Sequence, residues 1–193
     1  MSVTSPRRSA RDRLLDAADE LFYAEGVHVV GIDRVIERAG VAKASLYSTF
    51  GSKDELVRAY LQRRHEARRI RITTGLERFG NPRDRLLGVF DLLAETAARP
   101  GYRGCAFYNA SAESDPAGVV QEEADTTRAW TRALFVDLAR DAGARDPEAL
   151  AAQLVILYDG SNAGARLDRG PQAATLARAM AAVLLDNEFP ESS

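Results

Sequence analysis

Apolar side chains recur at helical spacing along nearly the whole of this chain, β-branched runs stay short, and Pro and Gly fall between the periodic segments. That pattern predicts an all-α fold. The first helix is expected to begin after Ser9, with Asp12 three residues on as a short relative of the capping box, and to present Leu14, Ala18, Leu21 and Phe22 on one face before Gly26 ends it. A short helix from about Ile32 to Ala39 should stop at Gly40, and another should run from about Lys43 to Phe50. Ser52 is placed to cap a long helix whose first turn holds Asp54 and Glu55, where acidic side chains favour the helix dipole. Further on, Asn81–Pro82, Asp146–Pro147 and Gly170–Pro171 read as helix starts. Cys105 to Glu113 reads as a short helix between the loop RPGYRG and the break at Ser114 to Pro116. Long helices are expected near 118–142 and 147–167 and a last one near 171–187, giving about nine in all, with no internal repeat.

With 193 residues and 46% hydrophobic content, one or two globular domains can each bury a core. The single cysteine, Cys105, excludes a disulfide framework and a cysteine-based zinc cluster, and His28 and His65 are too few for a histidine-rich metal site. No metal and no cofactor is therefore expected. The basic N-terminus MSVTSPRRSARD lacks the apolar run of a signal peptide, and the longest apolar run, Leu154 to Tyr158, is far too short to cross a bilayer. A cytoplasmic protein without a membrane partner is the expectation. The net charge of −2 is unevenly spread: residues 1–75 hold 14 Lys and Arg against 10 Asp and Glu, a net of +4, and residues 76–193 hold 12 against 18, a net of −6. A basic first part suits a polyanionic partner.

The segment Arg34 to Leu56, RVIERAGVAKASLYSTFGSKDEL, says which polyanion. Ala39-Gly40-Val41 supplies what a helix-turn-helix needs: a small residue where two helices nearly touch, a glycine able to take positive φ, and an apolar anchor. The second helix would hold itself down through Leu46 and Phe50. Its outer face would carry Lys43, Ala44, Ser45 and Ser48, side chains short or flexible enough for the helix to enter a major groove and touch base edges. Tyr47, Thr49 and Lys53 suit phosphate oxygens, which position a protein on DNA without reporting sequence. One such helix reads only a few base pairs, whereas two held roughly 34 Å apart read a palindrome, so a homodimer on double-stranded DNA is expected.

Together with Arg13 to Gly26, RLLDAADELFYAEG, this segment resembles the DNA-binding domain of the tetracycline-repressor (TetR) family of bacterial regulators. The matching positions are Leu15, Ala17, Ala18, Leu21, Phe22 and Gly26, then Ala39, Gly40, Val41, Leu46, Tyr47, Phe50, Ser52, Lys53 and Leu56. The resemblance covers about the first 60 residues. It implies a three-helix DNA-binding domain over 1–52, and over 53–193 a helical domain that dimerises and encloses a small-molecule effector site. Two positions depart from the family pattern: Gly31 and Ala42 stand where Thr or Ser commonly caps a helix and reaches a phosphate. Glycine is an acceptable cap and alanine a poor one, at a cost of about 1 kcal/mol.

For the second part, the resemblance points to the last two helices as the dimer interface, with Leu154, Leu157, Ala173, Leu176, Ala177, Met180 and Leu184 as its residues. Effector contacts are expected from Phe107, Tyr108 and Asn109, which mix an apolar wall with a polar handle, and from Trp130, Tyr158, Asp159 and Asn162. Cys105, beside Arg103 and a helix start, also has the setting of a redox-sensing thiol. The expected function is a transcriptional regulator, a repressor that releases a palindromic operator on binding a small molecule. An enzyme using Cys105 or a Ser with His65 is the rival, but no phosphate loop or nucleophile elbow supports it. A third possibility, an interaction module that has lost DNA binding, rests on Gly31 and Ala42 alone.

Overall fold

The computed structural model of the chain describes residues 8–112 and 114–189. Among these residues it contains nine α-helices and no strand: α1 (Ala10–Glu25), α2 (Ile32–Ala39), α3 (Lys43–Phe50), α4 (Lys53–Leu76), α5 (Pro82–Ala97), α6 (Ala106–Ser111), α7 (Val119–Asp141), α8 (Pro147–Leu167) and α9 (Gln172–Glu188). The all-α expectation with its N-terminal three-helix motif is borne out. No helix among the described residues is long and apolar enough to cross a membrane. Glu113, the end of the expected short helix, and the first seven residues of the basic N-terminus lie outside the described residues.

Local chemistry accounts for the helix limits. Ser9 Oγ accepts the Asp12 N–H at 3.1 Å while its hydroxyl donates to the Asp12 carboxylate at 2.6 Å. That reciprocal pair holds the Asp12 carboxyl below its ordinary pKa, the Ser9 hydroxyl being the main cause. Ser52 Oγ accepts the Glu55 N–H at 3.1 Å and starts α4. Gly40 takes φ 61°, and its amide closes the end of α2 on the Glu37 and Ile36 carbonyls. A side chain with a Cβ would be strained there, which is why the turn needs glycine.

The chain packs as two compact units. One holds the described residues up to Arg64 together with Ala106–Ala124; the other holds His65–Cys105 and the described residues from Asp125 on. The division at 52/53 expected from sequence differs from this, because the first turns of α4 contribute Leu56, Tyr60 and Leu61 to the core of the first unit. There they join Leu14, Ala18 and Phe22 of α1, Val35 of α2 and Leu46 of α3, and the Phe22 and Tyr60 rings meet edge to face with centroids 5.5 Å apart. The second unit is built around Phe90 of α5, Phe135 of α7 and Tyr158 of α8, whose rings lie 5.8 to 6.2 Å from one another. Leu86, Leu93, Leu154, Ala181 and Leu185 complete this core.

Candidate functional site

The recognition helix begins with its anchor. Leu46 is completely buried, so α3 is fixed to the helices behind it and its other side is left outward. Lys43, Ala44, Tyr47, Ser48 and Thr49 are exposed there, and Ser45 and, at the start of α4, Lys53 are half-buried. Phe50 sits 5.7 Å beneath the Arg11 guanidinium. Several of the outward groups are occupied locally. Lys43 Nζ donates to Asp33 at 2.9 Å, and this hydrogen bond raises its pKa, so the ammonium stays charged. Thr49 Oγ1 and Ser48 Oγ donate to the Ser45 carbonyl at 2.6 and 3.2 Å. A hydroxyl bonded to its own helix exchanges that bond cheaply for a phosphate or a base edge.

Neither Gly31 nor Ala42 makes a side-chain cap. The motif is secured from the side instead, by groups that sequence reasoning did not single out. Arg13 Nη1 donates to the Gly40 carbonyl at 2.9 Å, serving as the basic cap at the end of α2. Arg34 pairs with Glu25 through two bonds of 2.6 and 2.8 Å, and Arg38 pairs with Glu20 through two of 3.0 Å, tying α2 to α1 twice. Such planar two-bond pairs fix geometry better than single contacts. The spacing of unlike charges on α1 and α2 was a visible signal, but only their pairing in space makes it specific.

The expected effector residues fall into two groups. Phe107, Tyr108 and Asn109 belong to α6 in the first unit. Phe107 is buried, Tyr108 is 64% exposed, and Asn109 lines a crevice of about 10 Å³ with Phe22, Val27 and Tyr60, room for a single water. Tyr108 is thus no cavity wall: the turn of α6 points it outward.

The remaining four belong to the second unit. Trp130 meets His65 edge to face at 5.7 Å, and His65 Nδ1 hydrogen-bonds Thr127 Oγ1 at 3.0 Å. Tyr158 is a member of the aromatic core. Asn162 is buried and bonded at both ends of its amide: its Oδ1 accepts from the Tyr102 hydroxyl at 3.1 Å, and its Nδ2 donates to the Tyr158 carbonyl at 2.9 Å. Asp159 instead pairs with Arg128, both half-exposed. Sequence reasoning missed Arg68, whose Nη2 donates to Cys105 Sγ at 3.1 Å, because thiol and cation lie 37 positions apart in the chain.

Of the expected interface residues, Leu154 and Ala177 are spent inside the unit's own core, and Leu157, Ala173 and Leu184 are half-buried; Ala173 meets α8 at Gly164, where an added Cβ would come within 2.6 Å. Leu154 and Ala177 therefore present nothing to a partner. Leu176 and Met180 do face outward, at 64% and 50% exposure, joined by Val183 at 59% and by Ile156 of α8 at 69%. On α8 the exposed residues Ala152, Ile156, Gly160, Ala163 and Leu167 recur at helical spacing, so α8 and α9 each carry an uncovered stripe without charge. On α9 the stripe includes the expected Leu176 and Met180, whereas on α8 it lies beside the expected Leu154 and Leu157, because a helix that is apolar on several faces does not reveal which one its own core takes.

Two family models match the chain: the TetR family of bacterial regulatory proteins over residues 14–60, and the tetracycline-repressor-like C-terminal domain over residues 82–181. The transcriptional activator FasR of Mycolicibacterium smegmatis is 34% identical over 142 residues, which are 72% of this chain and 63% of FasR. The chain thus spans less than two thirds of that relative's length. Among solved structures, a TetR-family transcriptional regulator from Streptomyces coelicolor superposes with a TM-score of 0.87 at 34% identity, covering 93% of this chain and 95% of its own. The reduced form of NemR from E. coli does so with a TM-score of 0.79 at 27% identity, covering 90% and 95%.

Proposed function

Since the chain belongs to the TetR family of bacterial regulatory proteins, we propose that it acts in the cytoplasm as a homodimeric repressor of a palindromic operator and lets go of the DNA when a small molecule occupies its second unit. The observation that carries this reading is α3, a helix anchored by one wholly buried leucine, whose groove-facing side chains are small, polar or flexible and none of them buried. Lys43, Ala44, Ser45 and Ser48 read base edges, while Tyr47, Thr49 and Lys53 hold phosphates. The DNA-binding function lies within residues 1–52, and effector binding and dimerisation within 53–193. The uncovered stripes of α8 and α9 suit a two-fold partner, since monomers seldom leave so much contiguous apolar surface in water. Because α4 contributes residues to both units, it is the route by which a ligand alters the spacing of the two recognition helices. A ligand that prefers the wrong spacing weakens operator binding by its differential affinity, commonly about 1–3 kcal/mol.

A gel shift against the DNA immediately upstream of its own gene tests the reading. Retardation of that DNA but not of unrelated DNA is expected, and Lys43→Ala or Ser45→Ala should change which operator positions tolerate substitution. A uniform loss over all operator variants would make those two residues backbone contacts. The likeness to FasR, named as an activator, favours a second reading in which the same operator binding raises transcription. A reporter placed behind the retarded DNA decides between them by the sign of its response.

A further inference from the structure

The side of α4 that enters the second unit's core changes character along its length. Ile72 and Leu76 are buried among Leu86, Phe90 and Tyr158. Arg68 stands one turn before Ile72 on the same side, and Arg71 stands three residues after Arg68 and four before Gly75. Two guanidinium groups thus occupy positions where the pattern of the helix calls for apolar side chains.

Their surroundings are polar. Arg68 is half-buried with its guanidinium end enclosed, and that end donates to Cys105 Sγ. Burial works against its charge, yet Cys105, Tyr158 and Tyr102 together outweigh burial and keep its pKa above the ordinary value. Arg71 is the less comfortable of the two. Its Nε is buried and has no hydrogen-bond partner among the described residues. Burial is the main cause that lowers its pKa, Tyr158 opposes this, and the like charges of Arg68 and Arg99 add to the lowering. None of these strongest influences on Arg71 is a carboxylate. A guanidinium does not shed its proton at any ordinary pH, so the cation remains with a donor unused. Tyr102 and Asn162 sit nearby in the same unit, already joined to each other.

We infer that Arg71, with Arg68 beside it, is the anion-binding end of the effector site and takes the carboxylate of a small organic acid. This rests on the reading that the second unit binds an effector. The Nε–H and one Nη–H of a guanidinium form a planar fork that matches the two oxygens of a carboxylate, and a bound anion would supply both the missing acceptor and the missing countercharge. Tyr102 supplies an aromatic face and a hydroxyl next to it. A neutral ligand of the same shape would satisfy neither need.

Thermal melting of the full chain without DNA tests this, with sodium benzoate, benzamide and sodium phosphate as probes at matched ionic strength. Benzoate should raise the melting temperature and saturate, while benzamide and phosphate should leave it at the sodium chloride value. Arg71→Met removes the unused donor and one of the like charges. Its melting temperature without ligand should equal or exceed the parent's, and its apparent affinity for benzoate should fall at least about tenfold. The inference is overturned by equal shifts from benzoate and benzamide, by a shift from phosphate alone, by no benzoate shift at all, or by an unchanged benzoate response in Arg71→Met. The gel shift run in parallel separates the two levels: a parent that fails to retard its upstream DNA sinks the regulator reading, whereas one that retards it but shows no benzoate-specific shift sinks this inference alone.

Discussion

Helices α2 and α3 of the recognition motif and helices α5 and α8 of the second unit begin in different ways. α5 opens on Asn81, whose Oδ1 accepts the Asp84 N–H at 2.8 Å, and α8 opens on Asp146, whose Oδ1 accepts the Ala149 N–H at 2.9 Å; Pro82 and Pro147 follow them. α2 and α3 open on Gly31 and Ala42, which have extended backbone suited to a cap but no side chain to make one. A capping side chain satisfies one of the four N–H groups that a helix start leaves over. At α5 and α8, which build the second unit's core, the cap is present. At the proposed DNA surface the donors are left over, and phosphate is the acceptor that suits them. The stability forgone there is offset from the flank, by Arg13 on the Gly40 carbonyl and by the two bidentate pairs from α2 to α1.

The largest expected effect tests the second unit as a packed core. Phe90→Ala empties the centre of the ring cluster with Phe135 and Tyr158 and should cost about 3–5 kcal/mol of unfolding free energy in urea titrations. A cost near the roughly 0.5 kcal/mol usual for surface changes would show that this core is not packed as described. Next in size is the outer stripe. Leu176→Glu combined with Met180→Glu should leave the fold intact, because both side chains already face water, but should convert the dimer to monomer in sedimentation. Charges placed at the centre of an apolar interface cost about 2 kcal/mol or more, and operator binding should fall with the dimer. Retention of the dimer would move the interface away from α8 and α9.

A smaller and more specific effect is expected at the DNA surface. Lys53→Ala should weaken binding to operator and to random DNA alike and lower the salt slope by about one. Tyr47→Phe should weaken both alike as well, by losing one hydroxyl. Binding unchanged at every salt concentration in both variants would remove these residues from the phosphate contacts.

How much of this was legible in the sequence differs between the two units for a physical reason. The recognition motif is local: the turn glycine, the anchor Leu46 and the outward side chains lie within a dozen residues, so helical spacing alone orders them, and the observed ends of α2 and α3 match the expected ones. The helix starts at Ser9, Ser52, Asn81 and Asp146 were legible too, since a cap acts three residues along. What surrounds Arg68 and Arg71 is assembled from α4, α8 and the loop before α6, and no spacing rule joins Tyr102 to Asn162 or Arg68 to Cys105. Arg71 itself was read as part of a basic first part, because composition registers its charge but not its burial. The outward face of the interface helices was hard to read for a different reason. Leu154 and Leu176 look alike in sequence, yet one is wholly buried and the other mostly exposed, since α8 and α9 are apolar on more than one face.

The smallest expected effect bears most directly on the contrast in helix starts. Ala42 has φ −72° and ψ 148°, and Gly31 has φ −78° and ψ 158°, so each could host a serine without moving the backbone. A serine hydroxyl at either place would accept one of the first N–H groups. Replacing alanine by a good cap gains about 1 kcal/mol, whereas glycine is already within a few tenths of serine because its solvated backbone serves nearly as well. Ala42→Ser should therefore raise stability measurably in urea titrations, and Gly31→Ser should hardly do so. Operator binding gives the second half of the test. If the N–H groups at the start of α3 are held open for phosphate, the new hydroxyl competes for one of them, and Ala42→Ser should gain stability without a matching gain in operator affinity. A gain in operator affinity at constant salt, larger than the gain in stability, would mean that the hydroxyl itself reaches a phosphate and that the bare start of α3 is a weakness rather than a provision for DNA.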